Sequence, residues 1–294
     1  MTLRCQRERT RDWVLRGWMT LFLLLGLVWG PWDLAQADEG QNEMEQAQAL
    51  PWMMGPDKGQ LAGVATLNFG EDYMFLESSG TQRFLELTDN LPQAGAVTLA
   101  KKDFSWFAVF QFNASGYVKD DETLDPDALL EQLQEGNRVG NQERKERGFP
   151  GLTLVSWFIP PRYDVQTKHL EWGTRLQPEG ESREVVNFTT RLLGRRGVMA
   201  ATLVSQPAAL DRHAAEFKKV LRGFSFTAGE RYREFRQGDK VAEYGLAALI
   251  AGGAAAAVAK SGAGKALFKV LGVAAVAGLG VLGGLVRKLF SRKA

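Results

Sequence analysis

Apolar and polar positions alternate most clearly over residues 152–204, where four consecutive strands are expected. A strand sends successive side chains to opposite faces, so a period of two marks a half-buried strand. Between 168 and 176, Leu170, Trp172 and Leu176 alternate with His169, Glu171 and Arg175. Further on, Val186, Phe188 and Leu192 alternate with Asn187, Thr189 and Arg191. The runs 152–159 and 198–204 are largely apolar on both faces, the pattern of interior strands. Pro160-Pro161 is expected to end the first strand, because proline cannot donate to a ladder. Pro178-Glu179-Gly180 and Gly194-Arg195-Arg196-Gly197 supply turns, and short turns favour antiparallel pairing.

The flanking pattern adds helices. Residues 64–69 and 73–76 read as a hairpin pair, Thr81 as the cap of a short helix to Leu87, and 96–100 and 104–112 as strands. Asp125-Pro126 starts a helix running to about Arg147, with Leu130 and Leu133 inward. A further helix over 207–222 places Leu210, Ala214, Phe217 and Leu221 on one face, and Phe224-Ser225-Phe226 forms a last strand. The expected class is α+β: a mainly antiparallel sheet with helices packed on it, plus a C-terminal transmembrane helix or helical hairpin.

The two ends have their own character. Arg4, Arg7, Arg9, Arg11 and Arg16 precede an apolar run over 18–29, then Pro31 and Ala35-Gln36-Ala37, so residues 1–37 read as a signal peptide cleaved after Ala37. The alternative is an uncleaved anchor helix, for which that run is short. The one cysteine, Cys5, lies in this segment. Residues 38–60 are acidic and glutamine-rich at their start and are expected to be a flexible lead-in; 61–237 form a periplasmic α+β domain, and 241–290 a C-terminal membrane anchor. Within the anchor, 270–286 is uninterrupted and apolar and is followed by Arg287, Lys288, Arg292 and Lys293. Gly272, Ala277, Gly280 and Gly284 form an imperfect small-residue ridge for membrane-helix packing; Ala248, Gly252 and Ala256 form a more regular one upstream. A single span keeps the basic end in the cytoplasm and is favoured; a two-helix hairpin is the other topology.

Charge and motifs narrow the function. Residues 38–240 carry 24 Lys+Arg against 30 Asp+Glu, and an acidic body argues against nucleic-acid binding. The run Arg144-Lys145-Glu146-Arg147 is expected to be a solvated helix end. With two histidines and no thiol after residue 37, no metal, cofactor or catalytic signature is legible. Gly278-Leu279-Gly280-Val281-Leu282-Gly283 imitates a dinucleotide fingerprint without the strand it needs. The candidate binding surface is the polar side of the meander: His169, Glu171 and Arg175 on one strand, Asn187, Thr189 and Arg191 on the next, aligned if the register allows. The plain alternative is a solvated sheet face with cross-strand ion pairs.

Two blocks carry a resemblance. Trp157, Pro160-Pro161, Tyr163-Asp164, Leu170-Glu171-Trp172, Asn187 and Leu193-Gly194-Arg195 form the first; Gly238-Asp239-Lys240-Val241-Ala242 and the glycine/alanine-rich residues 244–253 form the second. Together, over about 60–290, the chain resembles a bacterial family of uncharacterised membrane-anchored proteins. That resemblance implies an address and an architecture but no mechanism. At the level of fold alone, the strand–helix order with its closing Phe-x-Phe strand resembles small photosystem-accessory and Ran-binding-type sandwiches. The function expected is a non-catalytic binding or scaffolding module at the inner membrane, facing the periplasm, with the lipid bilayer and another membrane protein or a second copy as partners. The alternative is a periplasmic hydrolase with Glu171 and His169 as acid and base; a third reading is a structural part of a membrane assembly.

Overall fold

The computed structural model describes residues 42–251. Eleven strands, β1 (Met53–Met54), β2 (Asp57–Leu61), β3 (Ala65–Phe69), β4 (Tyr73–Leu76), β5 (Val97–Lys101), β6 (Phe107–Asn113), β7 (Leu152–Asp164), β8 (His169–Pro178), β9 (Val185–Leu193), β10 (Val198–Ser205) and β11 (Phe224–Phe226), make two sheets among the described residues. The larger is antiparallel throughout in the order β1-β4-β5-β6-β10-β9-β8-β7; the smaller is β11-β3-β2. Besides a short helical stretch at the start of the described residues, four α-helices accompany them: α1 (Ser78–Leu87), α2 (Pro126–Glu146), α3 (Leu210–Leu221) and α4 (Leu246–Ala251).

The large sheet is covered on both faces. On one, α1, α2 and α4 contribute Phe84, Leu129, Leu133, Leu246 and Ile250 to a core with Leu170, Trp172 and Leu176 of β8. On the other, α3 and the small sheet contribute Phe217, Leu210, Leu67 and Phe226 to a core with Phe188, Trp106 and Phe110. Each of these large side chains contributes about 1.5–3 kcal/mol by leaving water.

The meander expectation holds in outline, with β7 to β10 following one another in antiparallel pairs. Its details differ. β7 is an edge strand, not an interior one, and it runs through Pro160-Pro161 to Asp164. Of the register shifts at 154/156, 157/159 and 159/162, the last spans the prolines, which an edge tolerates because no outer neighbour needs their missing N–H. Helix α2 closes the first half of that edge with amides. Asn137 donates to Leu152 O at 2.8 Å and accepts from Leu154 N at 2.9 Å; Asn141 does the same with Leu152 at 3.1 and 2.9 Å. Residues 137 and 141 stand one turn apart on one helix face, so the helix supplies the bonds that a ninth strand would supply.

Other boundaries also move. Residues 64–69 and 73–76 do not form a hairpin: β3 lies in the small sheet and β4 in the large one. Helix α1 begins three residues before Thr81, whose hydroxyl bonds Leu76 O from inside it. Asp125 caps α2 as expected, accepting from the Asp127 and Ala128 amides; Leu133 is buried as expected, Leu130 is half-buried against the same core, and Leu129 is buried as well. Arg144 is not solvated; it is buried and donates to Pro150 O at 2.7 Å. The lead-in expected over 38–60 already contains a helical stretch at 43–48 and strands β1 and β2.

The start of the expected anchor belongs to the domain. Val241 bridges Tyr117, and Leu246, Leu249 and Ile250 of α4 are buried in the core shared with α2. No helix among the described residues is long and apolar enough to cross a membrane. The segment 1–37 and the ridge Gly272, Ala277, Gly280 and Gly284 lie outside the described residues.

Candidate functional site

Register decides the site. In the β8–β9 ladder, Leu176 pairs with Val185, Thr174 with Asn187, Trp172 with Thr189, Leu170 with Arg191 and His169 with Leu192. Directly opposed residues share a face. His169, Glu171 and Arg175 therefore lie with Phe188 and Leu192 on the α3 side, whereas Asn187, Thr189 and Arg191 lie with Trp172 on the α2/α4 side. The six residues do not form one patch. A register one residue different would have joined them, which is the sensitivity expected of a side-chain period of two.

On the α3 side the open end of β7–β8 meets the C-terminal half of α3 around a cleft of about 510 Å³, a size suited to a small ligand or a partner's side chains. From β7 and β8 come two directly opposed pairs, Arg162 with Glu171 and Asp164 with His169. Thr167 closes the hairpin end, and Lys218 and Leu221 of α3, with Arg222 at its C-cap, complete the wall. Lys218 holds Glu171 at 2.6 Å and stands 5.2 Å from the Phe188 ring centroid. Asp164 accepts from the backbone amides of Gln166 and Thr167, at 2.8 and 3.2 Å, and these bonds hold its carboxyl below the usual range. Burial pushes the His169 imidazole below its ordinary value, helped by Lys218 and against the pull of Glu171 and Asp164. Arg162 and Arg222 are exposed and make no ion pair among the described residues. Three cations against two carboxylates leave the cleft with one net positive charge. Arg175 is not part of it; it pairs with Glu184 at 2.9 Å and lies 4.6 Å over Phe158.

The α2/α4 side holds a different group. Thr174, Asn187 and Thr189 are buried, and the Thr189 and Thr202 hydroxyls stand 3.5 Å apart. The Arg191 guanidinium lies 5.5 Å over the Trp172 ring. Its Nε is fully enclosed without a hydrogen-bond partner, and so is the Asn187 side-chain oxygen. Burial pushes Arg191 down to about 10; the ionisable neighbour that counters this is Tyr244, a phenol and not a carboxylate.

Two further clusters are held shut. Asp120 accepts from Tyr163 and Lys168, both at 2.7 Å, and the Tyr232 hydroxyl lies 2.9 Å from both Asp120 Oδ1 and Val118 O. Burial raises the Asp120 carboxyl, but the bonds from Lys168, Tyr163 and Tyr232 outweigh it and leave the group below the usual range. Arg195 grips Asp239 with two bonds, at 2.7 and 2.6 Å, and Arg196 pairs with Glu230. The two sequence blocks are thereby tied together: Leu193-Gly194-Arg195 of the first meets Gly238-Asp239-Lys240 of the second. Lys240 O in turn accepts from the Tyr117 amide at 2.8 Å. These contacts position the chain and leave no free group for chemistry.

Sequence reasoning missed Arg162, Lys218 and Arg222. Lys218 sits on α3 and Arg222 four residues on, at its C-cap, but nothing in the sequence tied that turn to the β7–β8 hairpin. Among the described residues no group of three or more His, Cys, Asp or Glu side chains is arranged to hold a metal ion.

Solved structures show limited likeness. The chain is 10% identical to cyanobacterial PsbP (CyanoP) from Synechocystis sp. PCC 6803, covering 58% of this chain and 92% of that one with a TM-score of 0.35. It is 9% identical to the Saccharomyces cerevisiae Ran-binding protein Mog1p, covering 63% and 100% with a TM-score of 0.36. A protein of unknown function from Pseudomonas aeruginosa, PA94, a putative regulator by its title, is 16% identical over 56% and 93%, with a TM-score of 0.25. Likeness at this level assigns neither ligand nor activity. No curated protein matches the chain. The family model described as protein of unknown function (DUF2167) matches residues 54–283, most of the chain, and the protein belongs to that family.

Proposed function

We propose that this protein is a non-catalytic binding or scaffolding module, anchored to the inner membrane with its main domain in the periplasm, and that it receives an acidic group of a partner protein in the cleft between β7–β8 and α3. The observation that carries the reading is the pair Arg162 and Arg222, two exposed guanidiniums at one cleft with no acidic partner among the described residues. Guanidiniums suit this task because their planar donors match a carboxylate two bonds at a time. Val165, 63% exposed at the tip of the same hairpin, gives an arriving partner an apolar contact beside the charges. The address rests on the basic, apolar and small-residue order of 1–37 and on the apolar run 270–286 with its basic end.

The hydrolase reading has one observation in its favour, His169 and Glu171 on the wall of one cleft. Against it, Lys218 engages Glu171 at 2.6 Å and occupies the carboxyl that would have to act on a substrate. The test is a photocrosslinking residue at Val165 in living cells, with the membrane fraction analysed. The expected result is a discrete crosslinked product that disappears when Arg162 and Arg222 are both changed to Glu. A product of equal yield in that charge-reversed variant, or no product at all, sinks the proposal.

A further inference from the structure

We infer that the strap 233–243, together with Tyr117, is a docking face for a lipid surface and sits on anionic phospholipid headgroups. This rests on the inner-membrane reading above and gives the domain a definite face toward the bilayer. Apolar contact, charge and the position of the strap in the chain all point the same way.

Five large apolar side chains are exposed among the described residues, and two of them, Phe235 at 39% and Val241 at 38%, adjoin the same tyrosine. The Tyr117 ring centroid lies 4.3 Å from that of Phe235, and Tyr117 bridges Val241 through the backbone. Tyr117 also stacks on the buried Tyr232 ring, at 4.3 Å, which ties the group to the core. Exposed apolar residues scattered singly are ordinary on a protein surface. A phenylalanine and a valine joined by a tyrosine are the mixture that suits the headgroup level of a bilayer, where one end of the contact is apolar and the other is wet.

Charge selects the kind of lipid. The body of the chain is acidic, yet the exposed charged residues of the strap are Arg233, Arg236, Lys240 and Glu243, three cations against one carboxylate. None of the three cations has an ion pair among the described residues. The other two acids of the strap are engaged elsewhere. Glu234 accepts from the Gly229 and Arg231 amides, both at 2.9 Å, and Asp239 is gripped by Arg195. Each cation near an anionic membrane strengthens attachment by about fivefold at moderate salt.

The strap is held in shape before any lipid arrives. Asp239 accepts from the Arg236 amide at 2.7 Å and its own amide donates to Arg236 O at 3.0 Å. Lys240 O accepts from the Tyr117 amide and the Ala242 amide donates to Tyr117 O, each at 2.8 Å. Docking therefore orders little that is not already ordered. The sequence supplies a tether as well. The 18 residues 252–269 separate the last described helix from the apolar run 270–286, and they hold Lys260, Lys265 and Lys269 and no acid. Even fully extended they reach about 60 Å, so the strap stays at high local concentration over the headgroups and a small contact area suffices.

The test uses the full chain carrying Cys5→Ser, reconstituted into vesicles of phosphatidylcholine alone or with about one third phosphatidylglycerol, a charge density that attracts basic segments. A fluorescent dye is attached at Gln237→Cys, in the strap, or at Met54→Cys, 54% exposed on β1, the edge strand opposite β7. Flotation shows whether the vesicles hold the chain, and quenching by lipids brominated high on the acyl chain shows which residue lies at the surface. The dye at 237 is expected to be quenched in the anionic vesicles and the dye at 54 to be spared. Quenching at 237 is expected to fall several-fold in pure phosphatidylcholine, in high salt, and when Arg233→Gln and Lys240→Gln are combined. These exposed substitutions are expected to leave the melting temperature unchanged, which separates loss of docking from loss of fold. Docking is refuted if the chain floats while the dye at 237 is quenched no more than the dye at 54, if quenching is equal in the two kinds of vesicle, or if the double glutamine variant matches its parent. A chain that does not float removes the anchor itself, and the docking face with it. Shielding of residue 237 from a water-soluble thiol reagent in cells but not in vesicles would assign the face to a protein partner and also refutes docking on lipid.

Discussion

The two faces of the β8–β9 ladder use similar residue types to opposite ends. On the α3 side, Glu171 meets Lys218, Arg175 meets Glu184, and Asp164 is bound by two backbone amides. On the α2/α4 side, Arg191 and Asn187 keep enclosed atoms with no partner. Water explains the difference. Near an open edge, a side chain can choose its partner and solvent completes the rest, so ion pairs form there and contribute little. Inside a sheet covered on both faces, an unpaired polar atom keeps its full desolvation cost. The α3 face thus has its charges paired and leaves only the neutral Thr190 hydroxyl of β8–β9 without a partner, whereas the α2/α4 face leaves a guanidinium nitrogen and an amide oxygen unpaired.

Unsealing the paired face has the largest expected effect. Phe217 of α3 is fully buried, and its ring centroid lies 5.9 Å from Trp106 and 6.1 Å from Phe110. Phe217→Ala is expected to lose about 3–5 kcal/mol in urea unfolding. A loss below about 1 kcal/mol would mean that α3 is not the lid of this face. Next comes the other face. Asn137→Ala removes both bonds to Leu152 O and Leu154 N and leaves the β7 edge short of partners, at a cost of about 2–3 kcal/mol. Hydrogen exchange should rise at Leu154 more than at Leu170; equal rises would show that α2 supports the sheet as a whole and not its edge.

The smallest effect is the dependence on acid. His169 and His213, the two histidines of the chain, both titrate below the ordinary 6.5, chiefly because of burial. Below that value the unfolded chain takes up protons that the folded chain refuses, so stability falls as the pH drops through 6.5 and is regained as it rises. Changing both histidines to Asn is expected to flatten thermal stability between about pH 7 and pH 5. An unchanged slope in the double variant would assign the acid sensitivity to carboxylates.

Much of the fold was legible from local pattern. The four meander strands, the Asp125 cap and the buried stripe Leu210, Ala214, Phe217 and Leu221 all follow from short-range rules that depend on neighbours one to four residues away. Of the candidate cleft only His169 and Glu171 were legible, and the six residues expected to share a face do not form a group. The apolar rows of β8 and β9 invited alignment of the polar rows, yet the ladder sets the polar row of β9 against Leu170, Trp172 and Leu176. A visible sign was the pair Val185 and Leu193, apolar residues at both ends of the row Asn187, Thr189 and Arg191. The strap formed by Asp239, and the burial of Arg144, left no sign because their partners stand far along the chain or on the backbone.

By itself the sequence determined most of the strands and helices between about 64 and 226, the turns that follow β8 and β9, and the acidic and basic character of the body and the tail. Those properties are carried by neighbouring residues, and no distant contact is needed to read them. Only the tertiary structure decided that β7 is an edge, that β9 is central, and that His169 and Arg191 stand on opposite faces. The physical reason is that strand order and register are set by the joint burial of two cores. A shift of one residue changes no local preference, yet it moves every side chain of a strand through the sheet.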